Sequence, residues 1–191
     1  MADRPDMPGA SATLRRLLPE DAPAYRALML QAYAEQPEAF TSSVAEREPL
    51  PLAWWATRLA ADGVLGALVD GRLAGVVGLR FNAAESTRHK GLLFGMAVAS
   101  GQRRLGLGRR LVEAVCAEAA ARPGLRLLQL TVSEGNLPAL RLYQACGFQT
   151  YGREPMAVLR DGQAIAKLHL WRPLAWEDGP PFPESDTRPR P

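Results

Sequence analysis

After Pro19-Glu20-Asp21, apolar residues recur at helical spacing: Tyr25, Leu28, Met29, Ala32 and Tyr33 share one face. A short strand over residues 12–17 precedes this helix, and a second helix is predicted over 51–61, anchored by Trp54, Trp55 and Leu59. Residues 63–69 and 72–81 are apolar runs of strand length. Asp70-Gly71 between them suits a type I′ turn, so the two runs pair as a hairpin. A polar loop, NAAESTRHKG, covers 82–91. Residues 92–99, LLFGMAVA, are apolar at successive positions, the pattern of a strand buried on both faces. Over 106–122 a helix places Leu111, Val112, Val115, Cys116 and Ala119 on one side and stops at Pro123-Gly124. A strand over 125–132 follows, then a helix opened by Pro138 and closed at Gly147. Strands over 149–159 and 163–171 form a last hairpin across Asp161-Gly162. The order βααβββαβαββ predicts an α/β (α+β) fold: one domain with a mixed seven-stranded sheet and helices on both faces.

The pattern fades at both ends. Residues 1–11 are polar and rich in Pro, Gly and Ala, and 177–191 carry five prolines, which suit neither helix nor sheet interiors. Both are expected to be disordered, with the domain running over 12–176. No repeat of solenoid period interrupts it.

Composition narrows the function classes. The 191 residues are 47% hydrophobic and 23% charged, enough apolar content for a real core. No run approaches the roughly 18 apolar residues of a membrane span, and the first residues lack the apolar stretch of a secretory signal. Two cysteines make no disulfide framework, which fits a reducing cytoplasm. With only two histidines and no close Cys/His pair, no metal is expected. A net charge of +3 is too small for a nucleic-acid footprint. Its distribution says more, because Arg103, Arg104, Arg109 and Arg110 crowd one loop.

That loop, Arg103-Arg104-Leu105-Gly106-Leu107-Gly108-Arg109, joins the buried strand to the amphipathic helix. Glycines there let the backbone approach a ligand, and a helix's first turn presents unpaired N–H groups to an anion such as phosphate. A dinucleotide-binding fingerprint is disfavoured, since Leu111 stands where its third small residue belongs, and a P-loop would need a Gly-Lys-Ser/Thr that is missing. A second motif lies further on. Asn136 sits at a strand's end, Tyr143 lies two turns into the following helix, and Gly147-Phe148 leads into the next strand.

Together the two stretches resemble the GNAT family, the GCN5-related N-acetyltransferases. The family's Arg/Gln-x-x-Gly-x-Gly/Ala signature is matched by Arg103, Gly106 and Gly108, and its Asn-x-x-Ala-x-x-x-Tyr-x-x-x-Gly-Phe pattern by Asn136, Ala139, Tyr143, Gly147 and Phe148. The strand Phe94–Ser100 looks like the family's fourth, and the resemblance extends over nearly all of 12–172. It implies acetyl-CoA as co-substrate. The strands 92–99 and 125–132 would splay to admit the pantetheine arm, whose amides would pair with the backbone of Met96, Ala97 and Val98. Pyrophosphate would rest on N–H groups between Arg103 and Arg109, with Arg104, Leu105 and Leu107 in the same loop. Asn136 would meet the arm beside the thioester, and Tyr143 would be the general acid. The acceptor, a small-molecule or peptide amine, would enter from the opposite side of the sheet.

Direct attack of an amine on the thioester makes three demands. The amine, with a pKa near ~10, must lose a proton. The oxyanion needs a donor, for which a strand N–H near Met96 or Ala97 is suited. The leaving thiolate gains from a proton, which a phenol can supply. Residues 92–100 contain no acid, so the base is open among Glu46, Glu48, Glu85, Glu134 and a water chain. Cys146 raises a two-step route through a thioester on the protein, although core packing is the preferred reading of both Cys146 and Cys116. A module that binds acyl-CoA without turnover is the alternative to an enzyme. The exposed edge of the last hairpin could support a homodimer.

Overall fold

A computed structural model describes residues 12–160 and 162–174. The expected segments 1–11 and 177–191, residues 175 and 176 of the expected domain, and Asp161 of the last turn lie outside the described residues. Seven strands form one sheet in the order β1-β2-β3-β4-β5-β7-β6. They are β1 (Thr13–Arg16), β2 (Gly63–Val69), β3 (Arg72–Phe81), β4 (Lys90–Val98), β5 (Leu127–Ser133), β6 (Gln149–Arg160) and β7 (Gln163–Pro173). The pair β4–β5 is parallel and all other neighbours are antiparallel, so the sheet is mixed as expected.

The helices are α1 (Ala22–Glu35), α2 (Val44–Arg47), α3 (Leu52–Ala61), α4 (Leu107–Ala120) and α5 (Leu137–Ala145). The predicted order therefore needs one correction, the added single turn of α2. Its signal was present in Ser43-Val-Ala-Glu46. The Ser43 hydroxyl accepts from the Glu46 N–H, and the Glu46 carboxylate accepts from the Ser43 N–H at 3.0 Å, a capping box. Elsewhere the boundaries move by a few residues. Lys90 and Gly91 join β4 rather than the loop before it, and β5 starts at Leu127 rather than 125.

Two apolar clusters flank the sheet. On one face α4 buries Leu111, Val112, Val115, Cys116 and Ala119 against Val77, Leu79, Leu128 and Leu130. On the other, α1 buries Tyr25, Leu28, Met29, Ala32 and Tyr33 with Trp55, Leu59, Val64 and Val76. β3 is the strand between them, buried from Ala74 to Leu79. Its neighbour β4 contributes Leu93 to the first cluster and Ala97 to the second.

The sheet is continuous only at one end of the β4–β5 junction. Lys90, Gly91 and Leu92 pair with Leu127, Leu128 and Gln129, and beyond them the strands part. β4 is also bent. Val76 opposes Ala97 and Gly78 opposes Phe94, so Val77 faces both Gly95 and Met96. Gly95 holds φ +57°, the left-handed conformation that a β-bulge of this kind requires.

Candidate active site

Where β4 and β5 part, a cleft of about 630 Å³ opens. β4 forms one wall from Leu93 to Val98, while Thr131 and Val132 of β5 and the start of α5 form the other. Gln36, Ala39 and Phe40, just past α1, form the roof. The structure brings together Met96, Ala97, Val98, Arg103, Arg104, Gly106, Leu107, Gly108, Arg109, Asn136 and Tyr143 along this one cleft. Leu105 is not among the lining residues; its side chain points to solvent at 61% exposure.

The loop into α4 has the backbone its glycines require. Gly106 is the N-cap of α4 at φ +75°, and no side chain caps the helix. The first N–H groups of α4 therefore have no intrahelical or side-chain acceptor and lie at the cleft. A Cβ on Gly108 would stand 2.9 Å from Met96 Cε and 3.3 Å from Leu142 Cδ2, so a side chain there would displace the Met96 and Leu142 side chains that line the cleft. Arg104 also adopts a positive φ, +67°.

The arginines do not form one pool of free charge. Arg103 turns inward: its Nε donates to the Val98 carbonyl at 3.2 Å and its Nη2 to Glu35 at 2.9 Å. Hydrogen bonds from Gln31, then Ser100 and Arg103, hold the Glu35 carboxyl below the usual range. Arg109 pairs with Glu113 one turn on, and Arg110 donates to the Ala12 carbonyl. Arg104 is the member of the group with no side-chain partner among the described residues.

α5 supplies the other motif. Asn136 caps it, with Oδ1 accepting from the Ala139 N–H at 3.2 Å, and the residue lines the cleft. Tyr143 is buried, its ring edge-on to Phe148 at 5.9 Å, and its hydroxyl donates to Met96 Sδ at 3.3 Å. Burial, with a smaller contribution from Cys146, pushes the phenol above its ordinary value. It is a proton donor at every physiological pH.

Residues 27–148, which span the bent strand, the glycine loop and the capped helix, match the profile of the acetyltransferase (GNAT) family. The chain belongs to that family. Its enzyme class follows: an acetyl-CoA-dependent N-acetyltransferase. Solved structures share the fold. An acetyltransferase of the GNAT family from Streptococcus pneumoniae is 24% identical, with 86% of this chain and all of that one covered, at a TM-score of 0.79. A GNAT superfamily phosphinothricin acetyltransferase from Sinorhizobium meliloti, in complex with AcCoA, is 18% identical over 85% of this chain and 88% of that one, at a TM-score of 0.75. A putative acetyltransferase from Salmonella typhimurium, with its cofactor acetyl-CoA, is 20% identical over 90% and 98%, at a TM-score of 0.71. Comparison with curated proteins gives no match.

In this GNAT chain none of the four candidate carboxylates lines the cleft. Glu134 is held in a two-point ion pair with Arg153, both bonds 2.7 Å, which keeps its carboxyl low. Glu46 serves the capping box, and its side chain lines a separate groove with Tyr33 and Arg160. Glu85 lies in the turn before β4, and Glu48 ends α2. Cys146 does not line the cleft either. It packs with Cys116 in the α4 core, and burial raises both thiols. Among the described residues no three metal-ligating side chains gather, and no helix is long and apolar enough to cross a membrane.

Two features of the site escaped the sequence reading. One is the bulge at Gly95, whose signal was a lone glycine inside an apolar strand. The other is the strap over the cleft. Ser133 donates to the Glu38 carbonyl at 2.6 Å, Arg160 donates to the Pro37 and Phe40 carbonyls, and Lys167 donates to the Thr41 hydroxyl. These contacts join residues some 90 to 130 apart in sequence, beyond the reach of local pattern.

Proposed function

We propose that this GNAT enzyme moves the acetyl group of acetyl-CoA to a primary amine by direct attack, without a protein-bound acyl intermediate. The parted β4–β5 junction, with the uncapped N-terminus of α4 at its mouth, carries this reading. A cleft of about 630 Å³ lies within the ~300–1,000 Å³ usual for small-molecule sites. The unpaired edge of β4 offers the Met96–Val98 backbone to the pantetheine amides. The first N–H groups of α4 suit the pyrophosphate, and Arg104 is free to add charge. Asn136 would hold the arm near the thioester with its NH₂.

The bulge turns the β4 backbone at Gly95 and Met96 out of register with β3. A backbone N–H freed there from the β3 ladder would receive the carbonyl oxygen as charge develops on it. As the C–S bond breaks, Tyr143 donates its hydroxyl proton, or a hydrogen bond, to the departing sulfur. A phenol raised by burial is a weaker acid in water than a thiol. A hydrogen bond to the departing sulfur is therefore favoured over complete proton transfer. The Tyr143 hydroxyl donates to Met96 Sδ, a contact it would exchange for the departing sulfur. With no carboxylate lining the cleft, water is the route for the amine's proton. The burial of Cys146 away from the cleft favours direct attack over relay through a thiol.

Thiol release from acetyl-CoA with a panel of amines tests this reading. Amine-dependent release supports it. The absence of a cleft carboxylate favours one other reading, a module that binds acyl-CoA silently; tight binding without release for any amine would select that one. Two free, buried cysteines suit a reducing cytoplasm as the place of action.

A further inference from the structure

On the sheet face away from α4 lies a group of cations that the transfer scheme does not use. Phe94 immediately precedes the bulge and lines the cleft. Its ring lies over Gly78, where a Cβ would meet Phe94 Cζ at 2.3 Å. Two guanidiniums lie over this ring, Arg80 at 4.8 Å and Arg58 at 5.0 Å from its centre. Arg58 also lies 5.6 Å from the Trp54 ring, which Arg47 approaches at 4.9 Å.

The three arginines are not equivalent. Arg80 is neutralised by the buried Asp62 through two bonds of 2.7 and 2.6 Å. Arg47 gives Nε and Nη2 to the Ser42 hydroxyl, a neutral partner. Arg58 has the Tyr25 hydroxyl nearby and no carboxylate partner among the described residues. The carboxylate of Glu46, also within range of this group, is engaged in capping α2. Two half-buried guanidiniums thus flank one indole without a matching anion. A guanidinium held over a ring keeps N–H groups for a coplanar carboxylate.

We propose that Arg58, supported by Arg47, is a carboxylate-reading subsite, and that the acceptor is a small amine bearing a carboxylate beside its nitrogen, as an α-amino acid does. This rests on the direct-transfer reading and names its substrate class. Arg58 sits against the residue that precedes the bulge. Phe94 lines the cleft and Arg58 lies 5.0 Å from its ring, so a carboxylate on Arg58 would sit at the edge of the cleft with its amine reaching past that ring toward Gly95 and Met96. A polyamine or a peptide N-terminus would instead bring a cation or a neutral amide against unpaired guanidiniums.

The test is kcat/KM for the twenty α-amino acids, their α-carboxamides and short peptides, in wild type and in Arg58→Met, which keeps an apolar stem over Phe94. At least one acid should exceed its carboxamide by about 30-fold or more, the scale of a desolvated charge pair. Arg58→Met should erase that difference in a protein that still folds, while leaving the KM for acetyl-CoA unchanged; Arg47→Met should lessen it. Carboxamides or peptides turned over as well as the acids would overturn the proposal, as would an equal loss on both in Arg58→Met. If wild type acetylates no amine at all, direct transfer fails separately. Calorimetry of the same acids against CoA-loaded protein then decides the subsite: binding lost in Arg58→Met supports it, and no binding overturns it.

Discussion

The Tyr143 hydroxyl and the Met96 sulfur meet at 3.3 Å, joining α5 to the bulged part of β4 across the width of the cleft. This contact sets the phenol beside the β4 backbone proposed to meet the thioester, and it sets the first expectation. Tyr143→Phe keeps the ring and its packing on Phe148 and removes the donor. Turnover should fall by about 10²–10⁴-fold, nearer the lower end because a thiolate already leaves readily, with little change in acetyl-CoA affinity. Single-turnover kinetics beside calorimetry would check this. Loss of binding together with turnover would make Tyr143 a wall of the cleft rather than an acid.

The same burial has a pH signature. Unfolded, Tyr143 titrates near ~10; folded, it holds its proton to higher pH. Above the unfolded value the unfolded chain binds fewer protons than the native one, so stability falls as pH rises. Tyr25 and Tyr33 are shifted the same way by burial and add to the effect. Denaturant unfolding between pH 8 and 11 should show a declining stability whose slope flattens in Tyr143→Phe. An unchanged slope would remove Tyr143 from the account.

Gly106 and Gly108 should fail for different reasons. A side chain on Gly106 meets open space, so Gly106→Ala is limited by its positive φ and should cost about 1–2 kcal/mol of stability. Gly108→Val drives into Met96 and Leu142 inside the cleft. It should weaken acetyl-CoA binding more than tenfold in a protein that still folds. Calorimetry and thermal melts on both variants separate the two effects; equal affinity in Gly108→Val and wild type would detach the loop from the cofactor.

The arginines of the loop should rank by their partners. Arg104→Ala should raise the acetyl-CoA dissociation constant about 3–5-fold, as an exposed, unpaired charge near phosphate would. Arg109→Ala should do less, because its guanidinium is held by Glu113. Arg103→Ala should act on both affinity and melting temperature, since Arg103 ties the loop to Val98 and Glu35. The reverse order would mean that the pairs open when the ligand binds.

Most of the fold was legible because its elements carry strong local signals. The helical stripe of Tyr25 to Tyr33, the Asp70-Gly71 hairpin and the doubly apolar run 92–99 each became the element expected. The single turn α2 was passed over because its apolar content is slight, although Ser43 and Glu46 announced it. In the site, glycine spacing and the Asn136–Tyr143 interval located the cleft. What the arginines do there was not legible, since a sequence shows four like charges but not the acceptors Glu35, Glu113 and Ala12 that take three of them. The placement of Arg58 and Arg80 over Phe94 was hidden for the same reason. It depends on α3, β3 and β4 meeting, and on Gly78 leaving room for the ring.

The strap over the cleft gives the parted junction a second boundary. At one end the strands are held by the pairs from Lys90–Leu127 to Leu92–Gln129. At the other, Arg103 ties the end of β4 to Glu35, and Ser133 at the end of β5 holds Glu38, three residues further along the same chain. The opening is therefore tied at both ends, and both ties at the second end run to the short stretch of backbone between Glu35 and Glu38. The separation of the two walls at this end is thus tied to the few residues between Glu35 and Glu38, and a change in that stretch would be felt on β4 and β5 together.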